Sequence, residues 1–103
     1  MDRVDERELQ TALANRLDQW KLAGKTLERS FEFADFKTAM EFVHQVAEQA
    51  ELFQHHPDIA IHYNRVQLSL SSHDAGGITR RDLILAGKIN EIAPVYKERR
   101  KRA

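Results

Sequence analysis

Cysteine is absent from the 103-residue chain, which excludes disulfides, thiolate nucleophiles and cysteine-ligated metal centres. The staples of a small secreted domain are therefore missing, and a reducing compartment, the cytoplasm, is the expected setting. Net charge is absent too. Sixteen basic and 16 acidic side chains cancel, which argues against a chain built as a whole to bind nucleic acid, where a basic balance supplies most of the affinity. No stretch approaches the ~18 apolar residues of a membrane span, and no apolar core of signal-peptide length opens the chain. With four glycines and two prolines there is no low-complexity segment, and no internal repeat is found. A GxxxxGK[ST] loop, a dinucleotide fingerprint and a GxSxG elbow are all missing, which disfavours nucleotide and serine mechanisms.

What is present suits one core. Apolar residues make up 42% of the chain, enough for a single domain over 1–103 and too few for two. A domain of this size buries only about 60 to 70% of its unfolded surface, so pairing with further copies is a natural source of stability. The charges are unevenly spread: Lys97-Glu98-Arg99-Arg100-Lys101-Arg102 carries five cations against one carboxylate. This basic tail, at about 97–103, is expected to be a solvated, partly frayed terminus.

Leu9, Leu13, Leu17 and Trp20 recur at three- and four-residue steps, which predicts a first helix from about Asp5 to Asp18. Between Thr26 and Phe33 the period changes to two, with Leu27, Phe31 and Phe33 on one side and Glu28, Ser30 and Glu32 on the other, as in a half-buried strand. Trp20-Lys21-Leu22, before Gly24, is its candidate hairpin partner. Asp35 suits an N-cap for a second helix running to about Leu52. A further alternating stretch, Ile61 to Ser72, puts Val66, Leu68 and Leu70 on one face and Tyr63, Arg65, Gln67, Ser69 and Ser71 on the other. Asp74-Ala75-Gly76-Gly77 reads as a turn and Thr79-Arg80-Arg81-Asp82 as a capping box opening a third helix, which Pro94 should end or kink. Strands joined by short turns and separated from helices imply an α+β layer, an antiparallel sheet covered on one face.

Histidine is the side chain whose ordinary pKa, near ~6.5, lets it give and take protons at neutral pH. Of five, three stand out. His55 and His56 are adjacent and directly precede Pro57, which restricts His56 to extended conformations; His73 ends the polar side of the later strand. From the residues alone these are equally readable as linker and turn histidines. His44, on the helix face opposite Phe36 and Met40, and His62, on the Val66 side of the alternation, read as structural. A metal site of the three histidines plus Glu51 ranks lower, because neighbouring imidazoles diverge and no HExxH spacing is present.

Taken together, Glu51-Leu52-Phe53-Gln54-His55-His56-Pro57-Asp58, Tyr63-Asn64-Arg65-Val66 and Ser72-His73-Asp74-Ala75-Gly76-Gly77-Ile78-Thr79-Arg80-Arg81-Asp82-Leu83 resemble the pterin-4a-carbinolamine dehydratase family, over nearly the whole span from Trp20 to Ile92. The resemblance implies a four-stranded antiparallel sheet with three helices, assembled as homodimers or homotetramers. It also implies loss of water from a 4a-hydroxytetrahydropterin to give quinonoid dihydropterin, with no cofactor and no metal. This reaction recycles the pterin spent by aromatic amino-acid hydroxylases, phenylalanine hydroxylase foremost.

Such a dehydration needs one group to protonate the leaving hydroxyl and another to take a proton from the adjacent ring nitrogen. By the family pattern His55 and His73 match the acid–base pair, and His56 the residue that binds and orients substrate. Glu51, one helical turn before His55, could hold an imidazole tautomer or be an exposed helix-end carboxylate. Asp82 stands at a matching acidic position, although its capping role explains it equally well. Trp20 could wall a flat pterin but suits a core anchor better. Ile59 stands where tryptophan is frequent in the family and Arg81 where glutamate is. A different class of function, a non-catalytic interaction module or transcriptional dimerisation cofactor of the same fold, is the alternative.

Overall fold

The structure, a computed structural model, describes residues 2–99. Its first helix, α1, spans Glu6–Ala14, capped by the Asp5 carboxylate, which accepts from the Arg7 N–H at 2.7 Å. The apolar spacing had predicted a helix to Asp18. It stops earlier because the Asn15 side-chain amide donates to the Thr11 carbonyl at 2.8 Å while the Asn15 backbone leaves helical geometry, the local competition typical of asparagine. Leu17 and Trp20 nevertheless reach the core, carried by turns in which the Leu17 N–H donates to Ala12 and the Trp20 N–H to Leu17.

Four strands follow the order β1-β2-β4-β3, all pairs antiparallel: β1 is Lys21–Ala23, β2 Thr26–Glu32, β3 Asp58–His62 and β4 Arg65–Leu70. The expected single stretch from Ile61 to Ser72 is instead a hairpin, closed by Tyr63 and Asn64. Tyr63 takes φ 55°, in the left-handed region where a non-glycine residue is uncommon, so no glycine marked the turn. Asn64 secures it from both sides, donating through Nδ2 to the Phe33 carbonyl and accepting from the Phe33 N–H, each at 2.9 Å. The turn resets the alternation. His62 therefore pairs with Arg65 on the exposed side of the sheet, not on the Val66 side as the sequence suggested.

The other side of the sheet is covered by helices. Helix α2, Phe36–Phe53, starts at Asp35, whose carboxylate accepts from the Thr38 N–H at 2.8 Å. Hydrogen bonding with the Thr38 side chain, and then with its backbone N–H, holds the Asp35 carboxyl below its ordinary value. Phe42 projects from α2 onto Phe31 and Phe33, with both ring pairs at 4.8 Å, joining helix to sheet. Helix α3, Arg80–Ile92, ends as expected ahead of Pro94, and the chain tightens into a 3-10 turn over Ala93–Tyr96 because proline has no N–H to continue the helical ladder.

Alternation along β2 also turns Arg29 inward, where it is 5% exposed. Its guanidinium lies 4.2 Å from the Phe31 ring centroid, donates to Asn90 Oδ1 at 2.5 Å and forks onto Glu98 at 2.7 and 2.9 Å. The Trp20 Nε1–H donates to the same Asn90 oxygen at 2.8 Å. The beginning of the basic tail is thus docked rather than frayed: Glu98 is buried in this network, and the Arg99 N–H donates to the Glu32 carbonyl at 2.7 Å. Arg100, Lys101 and Arg102 lie outside the described residues.

Candidate active site

The end of α2 is shaped to aim two histidines. Gln54 adopts a left-handed conformation, φ 51° and ψ 43°, and its side-chain amide donates to the Glu51 carbonyl at 2.8 Å. The chain reverses there, and the His55 N–H returns to the Ala50 carbonyl at 3.0 Å. This six-residue closure satisfies carbonyls that the helix end would leave orphaned. It also turns the His55 ring inward, to 7% exposure, while His56 stays exposed. Glu51, on the last turn of α2, pairs through Oε2 with His56 Nε2. Of the two adjacent histidines, Glu51 therefore holds the second.

Asp82 holds the first. Its carboxylate is fully buried, and Oδ1 lies 2.5 Å from His55 Nε2. The second oxygen, Oδ2, accepts from the Thr79 N–H at 2.9 Å, the capping interaction that starts α3, and from the Ser72 hydroxyl at 2.9 Å. Asp82 thus serves as a cap and as the anchor of an imidazole. The capping reading of the sequence captured half of its role. An ionised carboxylate can only accept, which assigns the proton of the His55–Asp82 bond to Nε2.

The same carboxylate ties in the segment that carries His73. Ser72, which donates to Asp82, immediately precedes His73 and closes a tight turn by pairing with Gly77, Ser72 N–H to Gly77 carbonyl at 3.0 Å and the reverse at 3.3 Å. Between them His73–Ala75 form one 3-10 turn, and Gly76 takes φ 74°, a left-handed value suited to glycine. His73 is exposed at the start of this turn. Segments 27 residues apart are therefore joined through one buried side chain. Beside this turn, Arg81 reaches Asp74 at 3.3 Å.

The remaining candidates are placed elsewhere. Trp20 is 3% exposed and packs edge-on against Phe31 in the core. His44 is not opposite Phe36 and Met40 as the sequence suggested: positions four and eight residues on share a helix face, so all three border one groove, and His44 pairs with Glu48 at 3.0 Å, one turn along α2. Among the described residues, no group of three or more histidines, aspartates or glutamates is arranged to hold a metal ion. A hollow of about 540 Å³ borders Gly76 and Gly77 and is otherwise lined by Arg3, Val4, Leu22 and Lys25 among others; none of the three histidines lines it. The sequence reading gave Ser72 no role and took Thr79 only as a helix cap. The signal was a serine directly before His73 and a threonine three residues before Asp82, within a segment that folds back on itself.

These features coincide with a family likeness. The family model described as pterin 4 alpha carbinolamine dehydratase matches residues 2–92. A protein of Koribacter versatilis (strain Ellin345) named "Putative pterin-4-alpha-carbinolamine dehydratase" is 55% identical over 87 residues, which cover 84% of this chain and 92% of that protein. One of the same name from Thermomicrobium roseum is 47% identical, covering 90% of this chain and 99% of its own length. Among solved structures, that of a transcriptional coactivator/pterin dehydratase from Brucella melitensis superposes with a TM-score of 0.84 at 40% identity, over 89% of this chain and 99% of the other. A pterin dehydratase-like protein described as a RuBisCO assembly factor in the alpha-carboxysome shares the fold, with a TM-score of 0.64 at 21% identity, over 77% of this chain and 94% of the other. With a family-model match spanning 2–92 and relatives 47 and 55% identical over most of both chains, the chain belongs to the pterin 4 alpha carbinolamine dehydratase family.

Proposed function

We propose that the protein dehydrates a 4a-hydroxytetrahydropterin to quinonoid dihydropterin and water by histidine acid–base catalysis. The observation that carries this reading is the buried Asp82 carboxylate, which holds His55 on one oxygen and the serine preceding His73 on the other. In this scheme the C4a–O bond breaks as a proton reaches the leaving hydroxyl, and the N5–H proton departs as the new double bond forms. His55, with Nε2 bound to Asp82, takes the N5 proton on Nδ1, and Asp82 faces the imidazolium that results. His73 supplies the proton to the leaving oxygen. His56, steadied by Glu51, binds and orients the ring. Two imidazoles account for both transfers, so the scheme contains no metal or cofactor step.

The test is direct. Purified protein is mixed with a 4a-hydroxytetrahydropterin and the change in ring absorbance is followed. Acid–base help of this kind is typically worth ~10²- to 10⁴-fold, and changing His55 and His73 together to Ala should remove an acceleration of that order while the circular dichroism stays unchanged. An undiminished rate in the double variant overturns the mechanism. In the cell the reading places the protein in the cytoplasm, recycling pterin for an aromatic amino-acid hydroxylase such as phenylalanine hydroxylase.

One observation favours a second reading, an interaction module of the same fold. Helix α2 exposes Phe36 and Met40 one turn apart, and the exposed Tyr63 ring stacks on Phe36 at 6.4 Å, an apolar patch suited to a protein partner or to assembly as a homodimer or homotetramer. Light scattering of the purified protein, together with the rate assay, separates the two: a monomer without dehydratase activity favours the module.

A further inference from the structure

Asp82 has two oxygens and three donors, and the distribution of those donors is decided by side chains outside the proposed proton-transfer set. Ser72, Thr79 and Asp82 are 1%, 0% and 0% exposed, so bulk solvent does not reach them. The Ser72 hydroxyl has one proton. The carboxylate is acceptor-only, so that proton goes to Asp82 Oδ2. The contact between Ser72 Oγ and Thr79 Oγ1, at 2.8 Å, must then be made by the Thr79 hydroxyl donating to Ser72. A directed chain results, from Thr79 Oγ1–H to Ser72 Oγ and from Ser72 Oγ–H to Asp82 Oδ2. With the Thr79 N–H it saturates Oδ2 and leaves Oδ1 to His55.

We infer that Ser72 and Thr79 are positioning residues, whose paired hydroxyls fix the rotation of the Asp82 carboxylate and thereby the direction in which the His55 ring is held. Without the Ser72 donor, Oδ2 keeps one partner, the Thr79 hydroxyl loses its buried acceptor, and the carboxylate is free to turn so that its oxygens share the remaining donors. Buried networks of this kind lose their geometry when one member is left unsatisfied. The backbone pairing of Ser72 with Gly77 does not depend on the Ser72 side chain, so the turn that carries His73 persists when the hydroxyl is removed. Thr79 also caps α3, which makes Ser72 the cleaner residue to change.

The inference rests on the dehydratase reading for its kinetic arm only; its spectroscopic arm needs no substrate. In ¹⁵N-labelled protein the His55 Nε2–H should be a hydrogen-bonded proton in slow exchange with water in the wild type and should exchange on the order of tenfold faster in Ser72→Ala. The double variant Ser72→Thr with Thr79→Ser, which keeps both hydroxyls and the summed volume, should restore the slow exchange. In turnover, Ser72→Ala should lower kcat on the order of tenfold with KM changed less than about twofold, as expected of an outer partner that orients a reacting group. Should Ser72→Ala fail to fold, Ser72→Cys, whose thiol donates weakly, makes the same comparison. A wild-type His55 protonated on Nδ1, or a Ser72→Ala protein whose Nε2–H exchanges as slowly as that of the wild type, overturns the inference whatever the activity. An Nε2–H that responds in this way in a protein without dehydratase activity upholds it and overturns the proposed reaction instead.

Discussion

Replacing Asp82 by Asn changes no heavy-atom count in the buried site, yet it should remove most of the proposed catalysis. The two donors at Oδ2, the Ser72 hydroxyl and the Thr79 N–H, require an acceptor there. The amide oxygen of Asn meets both only by taking that position. Its NH2 group then faces His55 Nε2, which must become an acceptor, and the imidazole proton moves to Nδ1. His55 is left in the wrong tautomer to take a proton from substrate. If the base contributes at least ~10²-fold, the barrier rises by at least ~2.7 kcal/mol. Stability should fall less. Three hydrogen bonds to a charged group, each worth about 1.5–3 kcal/mol, become neutral ones worth about 0.5–1.5 kcal/mol, and removing the buried charge returns much of that difference. A net change of about 1–2 kcal/mol lowers the Tm of a domain this size by roughly 5–15 °C. Stopped-flow turnover and thermal denaturation on the same sample therefore separate the two effects. An Asp82→Asn protein that retains the wild-type kcat would refute the tautomer argument, because no arrangement of an amide reproduces three accepted hydrogen bonds.

The remaining expectations concern what holds the site's frame. Glu98→Ala breaks a buried ion pair with Arg29, whose side chains are 4% and 6% exposed; it should cost about 3 kcal/mol, the low end for such pairs, because Arg29 keeps Asn90 and the Phe31 ring, and urea denaturation measures it. Gly76→Ala should destabilise by about 1 kcal/mol through backbone strain, since a Cβ there meets nothing within 4 Å and φ is +74°; Gly77→Ala, where the added Cβ lies 2.9 Å from the movable Arg3 Cδ, should cost less, and thermal melts of the pair decide. Asp35 has its carboxyl held below 3.8 in the folded state by Thr38, so its contribution is present above the unfolded value and lost as pH falls through the folded one. The urea midpoints of wild type and Asp35→Ala should differ at about pH 6 and converge toward about pH 2.

How far the sequence disclosed this arrangement depends on the range of the interactions involved. Local signals survived folding: the Asp35 cap, the Thr79–Asp82 capping box and the Pro94 stop are each decided within a few residues, and each stands where the sequence put it. Periodicity succeeded where the chain was uninterrupted, as along β2. It failed at Tyr63, where a turn without glycine is held by Asn64 reaching Phe33, a partner 31 residues away. That single slip moved His62 to the opposite face. Arg29 makes the converse point. Strict alternation placed it inside, but its charge masked the signal, and the partners that make its burial tolerable, Asn90 and Glu98, are 61 and 69 residues distant. The candidate site shows the same division. Glu51 lies on the helical turn preceding His56, so their pairing was within reach of sequence spacing. The bond from His55 to Asp82 was not, because it depends on Gln54 adopting a left-handed conformation to turn the ring inward and on α3 starting at Thr79. Residue types nominated the histidines, but only the folded chain could show that one carboxylate caps a helix, anchors an imidazole and reaches the segment of the third histidine at once.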